Sequence, residues 1–273
     1  MKARSLCTTT LAAILGVAVV GTASPAFAAP TELSSTGNVT VEEGTAGGGN
    51  QGTVDPENPD QTLPTPDPDS PGENTNPDTG SLVIEKTTNL DFGTIKTSAN
   101  TVTSFAKPMS FESGAKTRGA YVQWADVRAG GTYGYTVTAQ LSSQFKDSTG
   151  TNVLTGSTID FSNGIIAAQG DNTNTVPSSA QTAFQLTEAA NDAKTIVTAS
   201  KDKKEGKGRY AMEFGQSKDS TVGVAGTDAN SVKLTVPAAT ASNMAATNYT
   251  ATVTWKITAA PAAEETPEVT PEG

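Results

Sequence analysis

The stretch NYTATVTWKITAAP, residues 248–261, decides how the rest of the chain is read. Tyr249, Ala251, Val253, Trp255 and Ile257 occupy one set of alternate positions, and Thr250, Thr252, Thr254, Lys256 and Thr258 the other. Successive side chains of a strand point to opposite faces, so this alternation predicts a half-buried β-strand. Aromatics make up 5% of the chain and only two residues are tryptophan, so a tryptophan in the last alternating run needs a reason. It either plugs the core or serves a binding face.

Working outward from that strand, the same period recurs from Ser81 onward. SLVIEK (81–86) opens the series, GYTVTAQL (134–141) places Tyr135, Val137, Ala139 and Leu141 on one face, and SVKLTVP (231–237) does the same for Val232, Leu234 and Val236 before stopping at Pro237. STIDFSNGII (157–166) carries Asn163 and Gly164, a pair that signals a two-residue hairpin turn. The one helix candidate, SAQTAFQLTEAANDAK (179–194), lacks a convincing 3.6-residue period. Short Thr-rich strands with Gly turns predict an all-β fold, a single β-sandwich-like domain of short antiparallel strands over 81–261.

Ahead of it lies a different composition. Residues 31–80 hold seven prolines, ten Asp or Glu, no Lys or Arg and no aromatic. Such a segment has little apolar surface to set against its ordering entropy, and residues 29–80 are expected to form a disordered acidic spacer. A short tail over 262–273 is expected to be flexible and acidic. The chain opens with a basic pair, Lys2 and Arg4, an apolar run over 11–20 and the small-x-small triplet Ala26, Phe27, Ala28. That order predicts a signal peptide over 1–28, and an apolar run of that length is too short for a membrane span of roughly 20 residues. The mature protein is thus expected to be exported, with no membrane association.

What is missing narrows the chemistry. The only cysteine, Cys7, lies upstream of the apolar run, so no disulfide is expected after cleavage. The chain has no histidine, which removes Ser-His-Asp and Cys-His catalysis and His-ligated zinc. Loss of Lys2 and Arg4 leaves 16 basic against 28 acidic residues, a net charge of −12, unsuited to nucleic acid or an anionic membrane. Asp160, Glu188 and Glu213 are scattered, with nothing in the sequence to pair them as a glycosidase requires. Neither a phosphate-gripping Gly loop nor a Ca²⁺-loop pattern is present, so no enzyme activity and no cofactor is expected.

Four stretches in order, LDFGT (90–94), AYVQWADVRAGGTYGYTVTAQL (120–141), GKGRYAMEFG (206–215) and the closing 231–261, together resemble the WxL domain of Gram-positive surface proteins. In that family a DFG strand opens the domain, a Y-V-Q-V-x-D-x-R-G stretch leads into a first Trp-x-Leu, and Y-T-A-T-L-T-W-x-L-x-x-A-P closes it. Here the first signature site reads Tyr135, Thr136, Val137 and the second Trp255, Lys256, Ile257, each keeping an aromatic at i and an aliphatic at i+2. The resemblance implies a secreted protein that associates non-covalently with cell-wall peptidoglycan, with neighbouring surface proteins of the same gene cluster as further partners. An alternative is an assembly subunit that binds partner surface proteins rather than glycan.

The resemblance makes Tyr135, Val137, Trp255 and Ile257 the candidate wall-binding motif, since an aromatic face stacks well on a sugar ring. Both pairs equally lie on the apolar face of their strands, which points inward by default, and the core reading is the favoured one. Asp126 and Arg128, at i and i+2 ahead of Gly130 and Gly131, are a candidate polar support for recognition or an ion pair that pins the turn. Trp124 is either an exposed stacking platform or another strand residue. The basic run KDKKEGKGR (201–209) is read as a solvated loop or as a site for anionic wall polymers.

Overall fold

The computed structural model describes residues 32–49, 51–189 and 192–260. The expected signal peptide and the C-terminal tail lie outside the described residues. The chain divides into two units, Met1–Val41 and Glu42–Gly273. Residues 32–41 of the first are exposed and carry no regular secondary structure. Everything below concerns the second.

The boundary expected at Gly80 is corrected by the structure. Residues 44–80 contain β1 (Ala46–Gly47), β2 (Thr53–Val54), β3 (Thr62–Leu63), β4 (Glu73–Thr75) and β5 (Thr79–Gly80). β1 pairs with β5 and β2 with β3, both antiparallel. Ala46, Val54 and Leu63 are buried. Three of the acids that argued for a self-repelling spacer, Asp55, Glu57 and Glu73, have cations elsewhere in the chain. Asp55 bonds Lys116 at 2.8 Å and Arg118 at 2.7 Å, and Glu73 bonds Lys86 at 2.7 Å. Burial by itself would raise the Asp55 carboxyl, but hydrogen bonds from Arg118 and Lys116 hold it below the usual carboxylate range.

The chain continues through β6 (Leu82–Thr88), β7 (Val102–Phe105), β8 (Met109–Phe111), β9 (Lys116–Arg118), β10 (Ala120–Asp126) and β11 (Tyr135–Lys146). It then forms β12 (Thr158–Phe161), β13 (Gly164–Ala168), β14 (Ser179–Ala180), β15 (Phe184–Leu186), β16 (Lys194–Ala199), β17 (Gly208–Phe214) and β18 (Val232–Val236). A four-residue helix, α1 (Ala238–Ala241), precedes the last strand, β19 (Thr250–Ala259). The stretch weighed as a helix thus holds strands β14 and β15 and the start of β16. No described helix is long and apolar enough to cross a membrane.

Three larger sheets result, ordered β13-β17-β10-β6-β4, β14-β16-β11-β19 and β15-β12-β18-β7. They meet in one buried cluster, to which the first contributes Trp124, Tyr210 and Phe214, the second Tyr135 and Val137, and the third Phe161. This is the all-β, sandwich-like core that the alternation predicts. Strand β10 departs from simple alternation, because all seven of its residues are buried. Val122 and Trp124 face the main core, while Tyr121 packs with Leu63, Met109 and Phe111, and Ala125 with Ala46 and Val83. Gln123 Oε1 accepts the Val54 N–H at 2.7 Å. The N-terminal segment is therefore a cover on the second face of the five-stranded sheet, and it buries β10, already flanked by β17 and β6, on both faces.

Asn163 and Gly164 do not close a hairpin. β12 pairs with β15 and β18, whereas β13 pairs with β17, so the pair is a corner where the chain changes sheets. Asn163 takes the left-handed conformation, φ 53°, and its carbonyl accepts the Gly215 N–H at 3.2 Å. A Cβ at residue 164 would lie 2.9 Å from Met212 Cε and 3.1 Å from the Thr182 backbone, so glycine is required for the close approach.

Candidate functional site

Strand β19 pairs antiparallel with β11 in the register Val137↔Ile257, Ala139↔Trp255 and Leu141↔Val253. Directly opposed residues project to the same side of a sheet, so the two signature pairs share one inward face. Their surroundings differ. β11 is an interior strand, and Tyr135 and Val137 are 0% exposed. Tyr135 Oη accepts the Trp124 Nε1–H at 2.7 Å, and its ring meets the indole edge-on at 6.5 Å. Trp124, itself 0% exposed, stacks on Tyr210 at 6.0 Å. Burial pushes the Tyr135 phenol far above its ordinary range, so it stays a neutral core group. Tyr135 and Val137 are sealed from solvent and cannot touch a wall ligand directly; Trp124 is no platform.

β19, by contrast, is the outer strand of its sheet, and its burial alternates between exposed and half-buried without ever becoming complete. Trp255 stacks on Phe214 at 6.2 Å and meets Phe161 edge-on at 5.9 Å. The rest of the side chain forms part of the wall of a cleft of about 400 Å³. Neither of the two expected roles fits it alone: the indole anchors in the core by one side and lines a groove by the other.

The opposite wall comes from the LDFGT stretch. It is a loop after β6 and not a strand. Asp91 organises it: its Oδ1 accepts the Gly93 N–H at 2.8 Å and its Oδ2 pairs with Lys107 at 2.6 Å. Gly93 sits at φ 64°, a backbone conformation that side-chain-bearing residues rarely adopt. Phe92 is turned inward, edge-on to Phe145 at 5.8 Å. Phe92, Phe145, Tyr249 and Leu90 also line a second, wider depression of about 1030 Å³, so the groove continues past them. All four motif stretches thus converge on one groove, through Phe92, Tyr121, Phe214 and Trp255, while Tyr135 and Val137 lie buried on the neighbouring strand. Phe92 and Tyr249 could have been found as site residues, since both lie within quoted motifs; Phe145 and Phe161 carried no signal.

Asp126 and Arg128 form a buried bidentate pair, Nε to Oδ1 at 2.9 Å and Nη2 to Oδ2 at 2.7 Å. Lys207 adds to it at 3.0 Å, and Arg128 Nη2 also donates to the Gly134 carbonyl at 3.1 Å. The cluster pins the 127–134 turn that leads into β11. Of the basic run, Lys207 is spent on Asp126 and Arg209 on Glu85 at 2.6 Å. Lys201, Lys203 and Lys204 are exposed.

An all-β domain with an aromatic groove built by its closing strand and an Asp-held loop has the make-up of a surface-binding module. The WxL domain surface cell wall-binding family matches residues 28–261, and the chain belongs to that family. The match takes in the N-terminal cover as well as the strands after Gly80. No curated protein and no solved structure shows a significant match.

Proposed function

We propose that the chain is exported by the signal peptide of residues 1–28 and holds peptidoglycan non-covalently at the surface of a Gram-positive cell, by way of the Trp255 groove. The observation that carries this is the half-buried Trp255 indole facing a cleft whose other wall is Phe92. Aromatic faces in such clefts take sugar rings with little directional demand. Tyr135 and Val137 hold the sheet behind Trp255, and Asp126 with Arg128 fixes the turn that enters it. The chain binds its wall ligand and performs no chemistry on it.

The test is retention of the purified protein on insoluble peptidoglycan stripped of protein and teichoic acid. Wild type should sediment with the wall, and Trp255→Ala should remain folded and in solution. Equal retention of the two would refute the groove reading. A second reading rests on the edge position of β19, whose ten residues leave one side open to strand addition. On it the chain is an assembly subunit that docks to partner surface proteins. Retention only when whole-cell protein is added back would favour that reading.

A further inference from the structure

The cleft is uncharged. None of its lining residues is Asp, Glu, Lys or Arg. Its two phenols are engaged: Tyr121 Oη donates to Glu73 Oε2 at 2.7 Å, and Tyr249 Oη donates to the Ala245 carbonyl at 3.1 Å. The nearest acids are already neutralised, Glu73 by Lys86 and Asp91 by Lys107. What remains is an aromatic floor, Trp255 and Phe92, with a rim of neutral amides and hydroxyls. The rim amides are pre-set, since Asn74 Nδ2–H donates to Asn89 Oδ1 at 2.7 Å and Asn89 Nδ2–H to the Pro71 carbonyl at 3.2 Å.

Building on the wall-binding reading, we infer that this groove takes the N-acetylated amino-sugar strand of peptidoglycan, and neither its peptide stems nor the anionic polymers of the wall. An amino-sugar strand is neutral once its lactyl carboxylates are amidated by the stems. It presents apolar ring faces and acetamide methyls for the indole, and hydroxyls and amides for the Asn and Thr rim. A peptide stem brings carboxylates and ammonium groups, and drawing a charge into a cleft that offers no counter-charge is costly. Phosphate-bearing polymers meet the same obstacle, and the chain's overall charge of −10 repels them at longer range. The groove continues past Phe92 and Tyr249 into the second depression, whose charged lining residues are Asp91, paired with Lys107, and the exposed Lys96, so a polymer can pass through and no chain end is needed.

The two tryptophans make the site readable. Trp124 is 0% exposed, so acrylamide quenching of the full-length protein reports Trp255. Intact stripped sacculi, insoluble chitin as an uncharged N-acetylated amino-sugar strand without stems, a chitin tetrasaccharide, free stem peptides and soluble teichoic acid are each added, with sedimentation measured in parallel for the insoluble ones. Intact sacculi and insoluble chitin should both protect Trp255 and retain the protein, and the chitin tetrasaccharide should displace it. Stem peptides and teichoic acid should do neither. Asn74→Asp, which sets a carboxylate on an exposed part of the rim in place of an amide donor, should weaken retention about fivefold, the equivalent of one lost hydrogen bond. Displacement by stem peptides, or retention on intact sacculi with none on chitin, overturns this inference while leaving wall binding intact. No retention on intact sacculi overturns both.

Discussion

Asp55→Ala removes the carboxylate at the centre of the N-terminal cover. That carboxylate is 0% exposed and receives three charged hydrogen bonds, from Arg118 Nε at 2.7 Å, Arg118 Nη2 at 2.8 Å and Lys116 Nζ at 2.8 Å. Without it Arg118, with 7% of its side chain exposed, keeps only Glu57 at 3.3 Å and the Thr117 carbonyl at 2.6 Å. Removing one partner of a buried pair strands the other charge and costs about 3–5 kcal/mol. The expected outcome is therefore a loss of about that size in a urea titration followed by tyrosine and tryptophan fluorescence, with the slope unchanged. Limited proteolysis should then cut first within 51–66, where β2 and β3 lose their anchor. Deleting residues 42–80 should go further, because it bares Tyr121, Gln123 and Ala125 on β10. A flexible spacer behaves otherwise: Asp55→Ala would then stay within about 0.5 kcal/mol of wild type, as exposed sites do. That result, or a deletion that melts with the intact chain, would refute the cover.

Trp255→Ala should cost about 1–3 kcal/mol, between an exposed site and a filled core, while abolishing retention on peptidoglycan; chemical denaturation and sedimentation measure the two separately. Tyr135→Phe should leave retention intact and cost about 1–3 kcal/mol, because the buried Trp124 N–H loses its only acceptor. Burial first, and then the Glu57 charge, raise the Glu213 carboxyl well above its ordinary value, and its Oε2 has no hydrogen-bond partner. A raised folded-state pKa stabilises below the ordinary value and loses that contribution as pH rises, so Glu213→Gln should flatten the decline in urea midpoint from pH 5 upward. Asp55, held low, has the opposite sign: its contribution is present above the ordinary carboxylate value and fades as the pH falls below it, and Asp55→Asn should remove that acid-side loss. Finally, an uncharged groove should hold peptidoglycan with a change of less than about twofold from low salt to several hundred millimolar, where the Debye length falls below about 6 Å; stripping by salt would point instead to Lys201, Lys203 and Lys204.

The closing strand was legible because its information is local. Alternation at period two in residues 250–258 needs no partner to be recognised, and the same holds for β11 and β18. The resemblance singled out Trp255 but not Phe92, and LDFGT, a strand in the family pattern, is here a loop held by its own aspartate. The Asn163 and Gly164 pair shows where local reading stops. Two such residues fix a tight reversal, but whether it joins paired strands or turns a corner between sheets depends on Gly215 and Met212, about 50 residues away.

Composition and period determined that the chain is all-β and without histidine chemistry, because these follow from residue types and their spacing alone. Tertiary structure decided the rest. Residues 44–80 read as a spacer because an average over the segment counts acids without partners, while Asp55 finds Arg118 at a separation of 63 residues. The same pairing puts a layer on the second face of the five-stranded sheet, while on its first face Trp124 is closed into a core by Tyr135 and Tyr210. Trp255 also lies on the apolar face of its strand, yet stays half-open because no described strand pairs with β19 on its outer side. Which aromatic is sealed and which is offered to a ligand depends on strand order, and strand order is a property of long-range pairing that no local pattern encodes.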